Sequence, residues 1–121
     1  MENEVLNEFG EMFVKKIRDR SIREMNWLID KDTPETALSF KLSKQVKLFS
    51  DEQKETLRKV VFDAIDNTLF KVITMLEEHE EYIKMTIAKD GKTYNLPEIS
   101  DGLGGELFGW IEQFSEYEES L

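Results

Sequence analysis

The sequence predicts a mainly α fold, of α+β class: three N-terminal helices, two of them long, then a β-hairpin and a short C-terminal helix. Three observations carry this reading. Apolar residues recur at helical spacing over residues 2–28 and again over 51–81. The period then switches to two over residues 82–89, just before Asp90-Gly91. At 121 residues the chain suits one domain, residues 1–121, with a core of its own.

The first helix is expected from about Glu2 to Leu28. Its stripe Val5, Phe9, Phe13, Ile17, Ser21, Met25 and Ile29 repeats every four residues. That spacing exceeds the 3.6 of an α-helix, so the stripe must wind around the rod. Glu2 and Glu4 suit the positive end of the helix dipole. Arg20 and Glu24 form an i,i+4 pair, read as a surface pair.

Asp30 to Pro34 is a break, with Thr33 as N-cap and Pro34 at the first position of a second helix, about 34–48. Ser50 and Gln53 have capping-box spacing and open a third helix that can run to about Glu81. Its apolar arc holds Leu57, Val61, Ala64, Ile65, Thr68, Leu69, Val72 and Leu76, flanked by Val60, Phe62 and Ile73. An arc this wide must meet more than one neighbour.

In the hairpin, Ile83, Met85 and Ile87 alternate with polar residues, Asp90-Gly91 is a type I′ turn, and Thr93 to Leu96 returns before Pro97. The glycines of Ser100–Gly105 are expected to supply positive φ where the chain turns into the last helix. That helix spans Leu107 to Tyr117, with Leu107, Phe108, Ile111 and Phe114 facing the core.

Charge is unevenly placed. The net charge is -10, yet residues 1–59 carry 12 bases and 12 acids. Residues 60–121 carry 4 bases and 14 acids, and the last base is Lys92. From Glu98 onward the acids Glu98, Asp101, Glu106, Glu112, Glu116, Glu118 and Glu119 meet no base. Such a chain does not favour nucleic acid as a partner. The basic run Lys15, Lys16, Arg18, Arg20 and Arg23 is scattered around its helix and interrupted by Asp19. No apolar run approaches the ~18 residues of a membrane span. The absence of Cys and the acidic start, MENEVLNEFGE, predict a cytoplasmic chain with no signal peptide.

Catalytic inventory is thin. There is no thiol nucleophile, and His79 is the only histidine. Within Glu77-Glu78-His79-Glu80-Glu81 it reads as a solvated helix end rather than a metal ligand. Asp63, Asp66, Glu77 and Glu81 are the carboxylates that a magnesium-dependent hydrolase would use, but they lie on one helix without an acidic stripe facing them. Gly102-Leu103-Gly104-Gly105 is not a phosphate-binding motif, and no base follows it. No cofactor or metal is implied.

Partner surfaces are better represented. Phe70 falls opposite the centre of the third helix's arc, on a face shared with Asp63, Asp66, Thr74 and Glu77. It is read either as an anchor for a basic protein or as covered by the C-terminal segment. Trp110 and Tyr117 lie seven apart, on one face, among Glu106, Glu112 and Glu116. Packing and binding are both open for that pair.

The run Ser100–Tyr117, SDGLGGELFGWIEQFSEY, resembles the tail of small uncharacterised bacterial proteins that are similar in size and acidity to immunity proteins. The residues carrying the resemblance are Asp101-Gly102, Gly105-Glu106-Leu107, Gly109-Trp110-Ile111, Phe114-Ser115 and Tyr117. It implies a non-enzymatic bacterial interaction protein and supplies no catalytic residues. The first functional expectation is therefore a protein-binding module, an immunity-type inhibitor of a basic toxin. Trp110 and Tyr117 would anchor it, with Phe70 as a further candidate, while Asp101, Glu106, Glu112 and Glu116 steer the approach. The alternatives are a structural or regulatory homodimer formed through the long helices, and the magnesium-dependent hydrolase.

Overall fold

Helix α1 (Glu2–Met12) passes without a break into a π-helical segment (Phe13–Asp19) and then into α2 (Arg20–Asp30). A computed structural model describes residues 1–117, and it is mainly helical, with an antiparallel hairpin and a C-terminal helix. The π segment divides the first expected helix, so four α-helices precede the hairpin rather than three. Wider π turns slow the drift of the four-residue repeat. What drift remains is taken up by a change of neighbour. Phe13 packs in a cluster with Leu103, Leu107, Trp110 and Ile111, whereas Ile29 packs against Val46.

The second expected helix is shorter than its sequence suggested. Residues 35–39 form turns, and α3 covers only Phe40–Val46. Its N-cap is Ser39, not Thr33, and Leu38 is fully exposed. Ser43 and Val46 are the side chains that α3 buries. The Ser43 hydroxyl donates to the Leu28 carbonyl (3.1 Å), and Lys47 Nζ donates to the Leu28 (3.1 Å) and Lys31 carbonyls. These bonds satisfy carbonyls that the end of α2 leaves open.

Helix α4 (Asp51–Glu78) starts at the expected capping box. Gln53 N–H donates to Ser50 Oγ (3.1 Å), and Ser50 N–H donates to Gln53 Oε1 (2.8 Å). Only one side of its broad arc faces inward, through Asp66, Leu69, Ile73 and Leu76, with Phe62 and Ile65 half-buried.

Strands β1 (Thr86–Lys89) and β2 (Lys92–Asn95) pair antiparallel, with Thr86 opposite Asn95 and Lys89 opposite Lys92. Residues 82–85, part of the alternating run, stay outside the strand. Asp90 (φ 51°) and Gly91 (φ 78°) are both left-handed, as a type I′ turn requires. Lys89 ties the hairpin to α1 by donating to Glu4 Oε1 (3.1 Å) and to Glu8.

A 3-10 turn (Leu96–Ile99) leads to α5 (Leu103–Phe114), which begins and ends earlier than the expected Leu107–Tyr117. The glycines before and within it do not supply positive φ. Gly102 is extended (φ 169°), and Gly104 and Gly105 are helical.

The main core joins Leu6, Phe13 and Val14 to Leu69 and Ile73 of α4, to Leu96, and to Leu103, Leu107, Trp110 and Ile111. Gly10 permits the closest approach in it. A Cβ at that position would fall within the Trp110 indole, so only glycine lets α1 and α5 meet there. No helix among the described residues is long and apolar enough to cross a membrane.

Candidate functional site

Two places concentrate chemistry: a buried charged cluster and an exposed aromatic face. The cluster begins with a second four-residue row on the first helix. Leu6, Gly10, Val14, Arg18 and Ile22 are all buried, beside the stripe that the sequence emphasised. Arg18 occupies an apolar position in this row and is 0% exposed; Asp19 is 1% and Asp66 3% exposed. Ile17, one residue away and placed in the apolar stripe by sequence, is exposed instead.

Arg18 reaches Asp66 with both edges of its fork, Nε to Oδ1 at 2.6 Å and Nη2 to Oδ2 at 3.3 Å. Its Nη1 contacts Asp19 Oδ1 (3.3 Å), Ser115 Oγ (2.7 Å) and the Tyr117 carbonyl (2.8 Å). Asp19 is held further by the Ser115 hydroxyl (2.7 Å) and the Glu116 N–H (2.9 Å). The second carboxylate is thus offset by neutral donors as well as by the guanidinium. Satisfying every polar group is what makes such a buried network tolerable. Three parts of the chain meet here: the π segment, α4 and residues 115–117. The cluster fastens the segment after α5, and its charged side chains Arg18, Asp19 and Asp66 are buried.

This geometry redistributes the expected site residues. Asp66 is the carboxylate partner of Arg18, with both oxygens engaged. Glu77 Oε2 accepts from Leu103 N–H (2.6 Å) and so caps the first turn of α5. Asp63 takes the side-chain amide of Asn67 (3.1 Å). Three carboxylates of the magnesium reading therefore serve separate contacts, Glu81 is exposed beyond the end of α4, and among the described residues no three His, Cys, Asp or Glu side chains converge. His79 Nδ1 lies 2.9 Å from the Tyr82 hydroxyl at the exposed end of α4. Arg20 and Glu24 form the surface pair expected of them, at 3.3 Å.

Trp110 and Tyr117 do not share an exposed face. Trp110 is 1% exposed and meets Phe9 edge to face at 5.7 Å. Tyr117 lies beyond the end of α5, half-buried, with its ring edge-on to Phe62 at 6.2 Å. The two rings part because α5 ends three residues before Tyr117 and because Gly10 opens a slot for the indole.

The exposed aromatic of α5 is Phe108, expected in the core but 44% accessible. It packs on the half-buried Phe70 at 5.7 Å between ring centroids. Phe70 is itself covered on one side by α5, where Gly104 would place a Cβ 2.9 Å from its ring. Gly105 and Gly109 flank Phe108 on α5 and face open space, leaving a smooth saddle beside the ring. Glu112 shares that exposed side of α5, and Asp101 is exposed at its start. Glu106 is half-buried and accepts from Ser100 Oγ (3.3 Å). Glu116 is exposed and pairs loosely with Arg23 (3.5 Å). Glu118 and Glu119 of the acidic run lie outside the described residues. Comparison with protein families, curated proteins and solved structures finds no match for this chain.

Proposed function

We propose that the chain is a non-enzymatic protein-binding module that docks a basic protein against α5, as a cytoplasmic bacterial immunity-type inhibitor would. The observation that supports this reading is the Phe108–Phe70 pair, half open to solvent beside Gly105 and Gly109 and next to Glu112. An apolar anchor with an acidic surround combines desolvation at the centre with long-range attraction at the rim. Phe108 takes the anchoring role that the sequence offered to Trp110 and Tyr117. Asp101, Glu112 and Glu116 steer, with Glu106 at the margin. The inhibitory step is occlusion of a basic active site.

The experiment is capture of basic proteins from a bacterial lysate by the immobilised chain, followed by kinetics on the purified partner. Glu112→Lys should lower the association rate and flatten its salt dependence. Phe108→Ala should act mainly on the dissociation rate. A partner whose binding ignores both substitutions would exclude this face as its site.

A further inference from the structure

Residues 36–50 are an exception in an acidic chain: they hold Lys41, Lys44 and Lys47 and no acid. They also carry the two most exposed large apolar side chains among the described residues, Leu38, which is fully exposed, and Leu48, at 86%. Leu42 and Phe49 are exposed as well. Trp27, 57% exposed, stands at the same end of the molecule, where it lines one depression with Ser39, the N-cap of α3.

We infer that α3 and its flanking turns form a membrane-surface site, which lies in the headgroup region of an anionic bilayer. The attachment is peripheral, and no part of the chain crosses the membrane. Three features point to this occupant. First, the segment is patterned for an interface. At 100° per residue, a helix over 34–49 would gather Leu38, Leu42 and Phe49 within about 40° of one another. Lys41, Lys44 and Lys47 would fall towards the other side, and Leu48 alone would break the pattern. A basic amphipathic helix of this kind lies in the plane of a membrane surface.

Second, the helix that Thr33 and Pro34 are suited to start is absent in water, where residues 35–39 form turns. A short helix draws its stability from burying an apolar face, and Leu38 has nothing to pack on. A bilayer supplies that burial, so α3 should lengthen back towards Pro34 when it binds.

Third, shape and charge choose lipid over protein. Leu38 and Leu48 stand out from the surface rather than line a cleft. A protein partner would need a fitted pocket for each, whereas the acyl boundary admits them in any arrangement. Lys41 and Lys44 are exposed, and the Lys44 ammonium stands 5.3 Å from the centre of the Phe40 ring. Lys47 keeps its charge while tied to the Leu28 and Lys31 carbonyls, which holds α3 to α2. Asp32 and Glu35 precede the segment, and Asp51 and Glu52 follow it in the first turn of α4, where the helix dipole offsets them in part. Helix α5, with its unbalanced acid, packs instead on α1 and the π segment. Attraction at one end and repulsion at the other turn α3 towards an anionic surface. This site is separate from the Phe108 face and does not depend on the proposed inhibitor function.

Flotation of the intact chain with lipid vesicles tests this. At low salt it should float with equimolar phosphatidylglycerol and phosphatidylcholine, far less with phosphatidylcholine alone, and be released by about 0.5 M salt. Trp27 emission should shift to the blue on binding, and Trp27→Phe should remove the shift, because Trp110 is already buried. Circular dichroism should gain about one helical turn. Lys41→Glu with Lys44→Glu should lower vesicle affinity more than about tenfold. Leu38→Ser, at a position with no packing to lose, should lower it about fivefold or more with an unchanged spectrum in water. Phe108→Ala should leave it unchanged. No flotation with anionic vesicles, equal flotation with neutral ones, or indifference to the lysine and Leu38 changes would each overturn the inference. So would sedimentation in which those same changes dissolve a dimer or a complex with an acidic protein, which would assign the segment to a protein partner.

Discussion

The two ends of the long helical pair are held by different physics. Around α1, α5 and the middle of α4, ten apolar side chains form a continuous buried cluster, with the Arg18 network beside it. Around the end of α2 and α3, the corresponding cluster is Leu28, Ile29 and Val46. There the connection leans on hydrogen bonds from Ser43 and Lys47 to the last carbonyls of α2, and on Arg58 to Asp30 (2.7 Å). Burial gives cooperative strength, whereas a few partly solvated hydrogen bonds give a region that opens on its own. Helix α3 should therefore lose amide protection well before α1, α4 and α5 do.

The sharpest way to break this comparison is at Arg18. Arg18→Ala leaves two buried carboxylates without their cation and should cost about 3–5 kcal/mol in urea unfolding. A cost below about 1 kcal/mol would mean that the cluster is solvated, in the range of exposed ion pairs. Gly10→Ala comes next. In an open helix it would stabilise by up to about 1 kcal/mol. Here the new methyl meets the Trp110 indole, and overpacking should reverse the sign to a net loss of about 1–3 kcal/mol.

At the weaker end, Ser43→Ala removes one buried hydroxyl donor and should cost about 1 kcal/mol. Hydrogen exchange should show that loss in α3 while α5 is unchanged; a loss spread evenly over the chain would erase the distinction between the two ends. The smallest effect concerns pH. Hydrogen bonds to Glu8 and then Glu4, with their negative charge, raise the Lys89 pKa above its ordinary 10.5. A raised lysine contributes its stability in full below the unfolded value and loses it as pH rises through the folded one. Hairpin resonances should thus hold steady to about pH 10 and shift only above it, and Lys89→Met should abolish that step.

What the sequence made legible was local. The capping box of Ser50 and Gln53, the Asp90-Gly91 turn and the length of α4 all depend on residues within four positions of each other. What it concealed depends on distant partners. Arg18 stood out no more than the other bases scattered around its helix, because its acceptors at Ser115 and Tyr117 lie 97 and 99 residues away. A trace was available: the row Leu6, Gly10, Val14, Arg18 and Ile22 keeps the same four-residue step as the more conspicuous Phe9 and Phe13 stripe. Gly10 within that row was likewise the clue that a large side chain, Trp110, passes there. The shortening of α3 had no comparable signal, because Pro34 and Thr33 are as compatible with a turn as with a helix start.

The Arg18 cluster also sets a clock. Arg18, Asp19 and Asp66 are made early, but Ser115 and the backbone of 116 and 117 must be added before the network closes. At ~5–20 residues per second, the 97 residues between Arg18 and Ser115 take roughly 5–20 s to synthesise. During that interval the N-terminal helix can form while its most demanding contact waits. On the ribosome, the final packing of this protein is governed by translation rather than by the speed of helix formation.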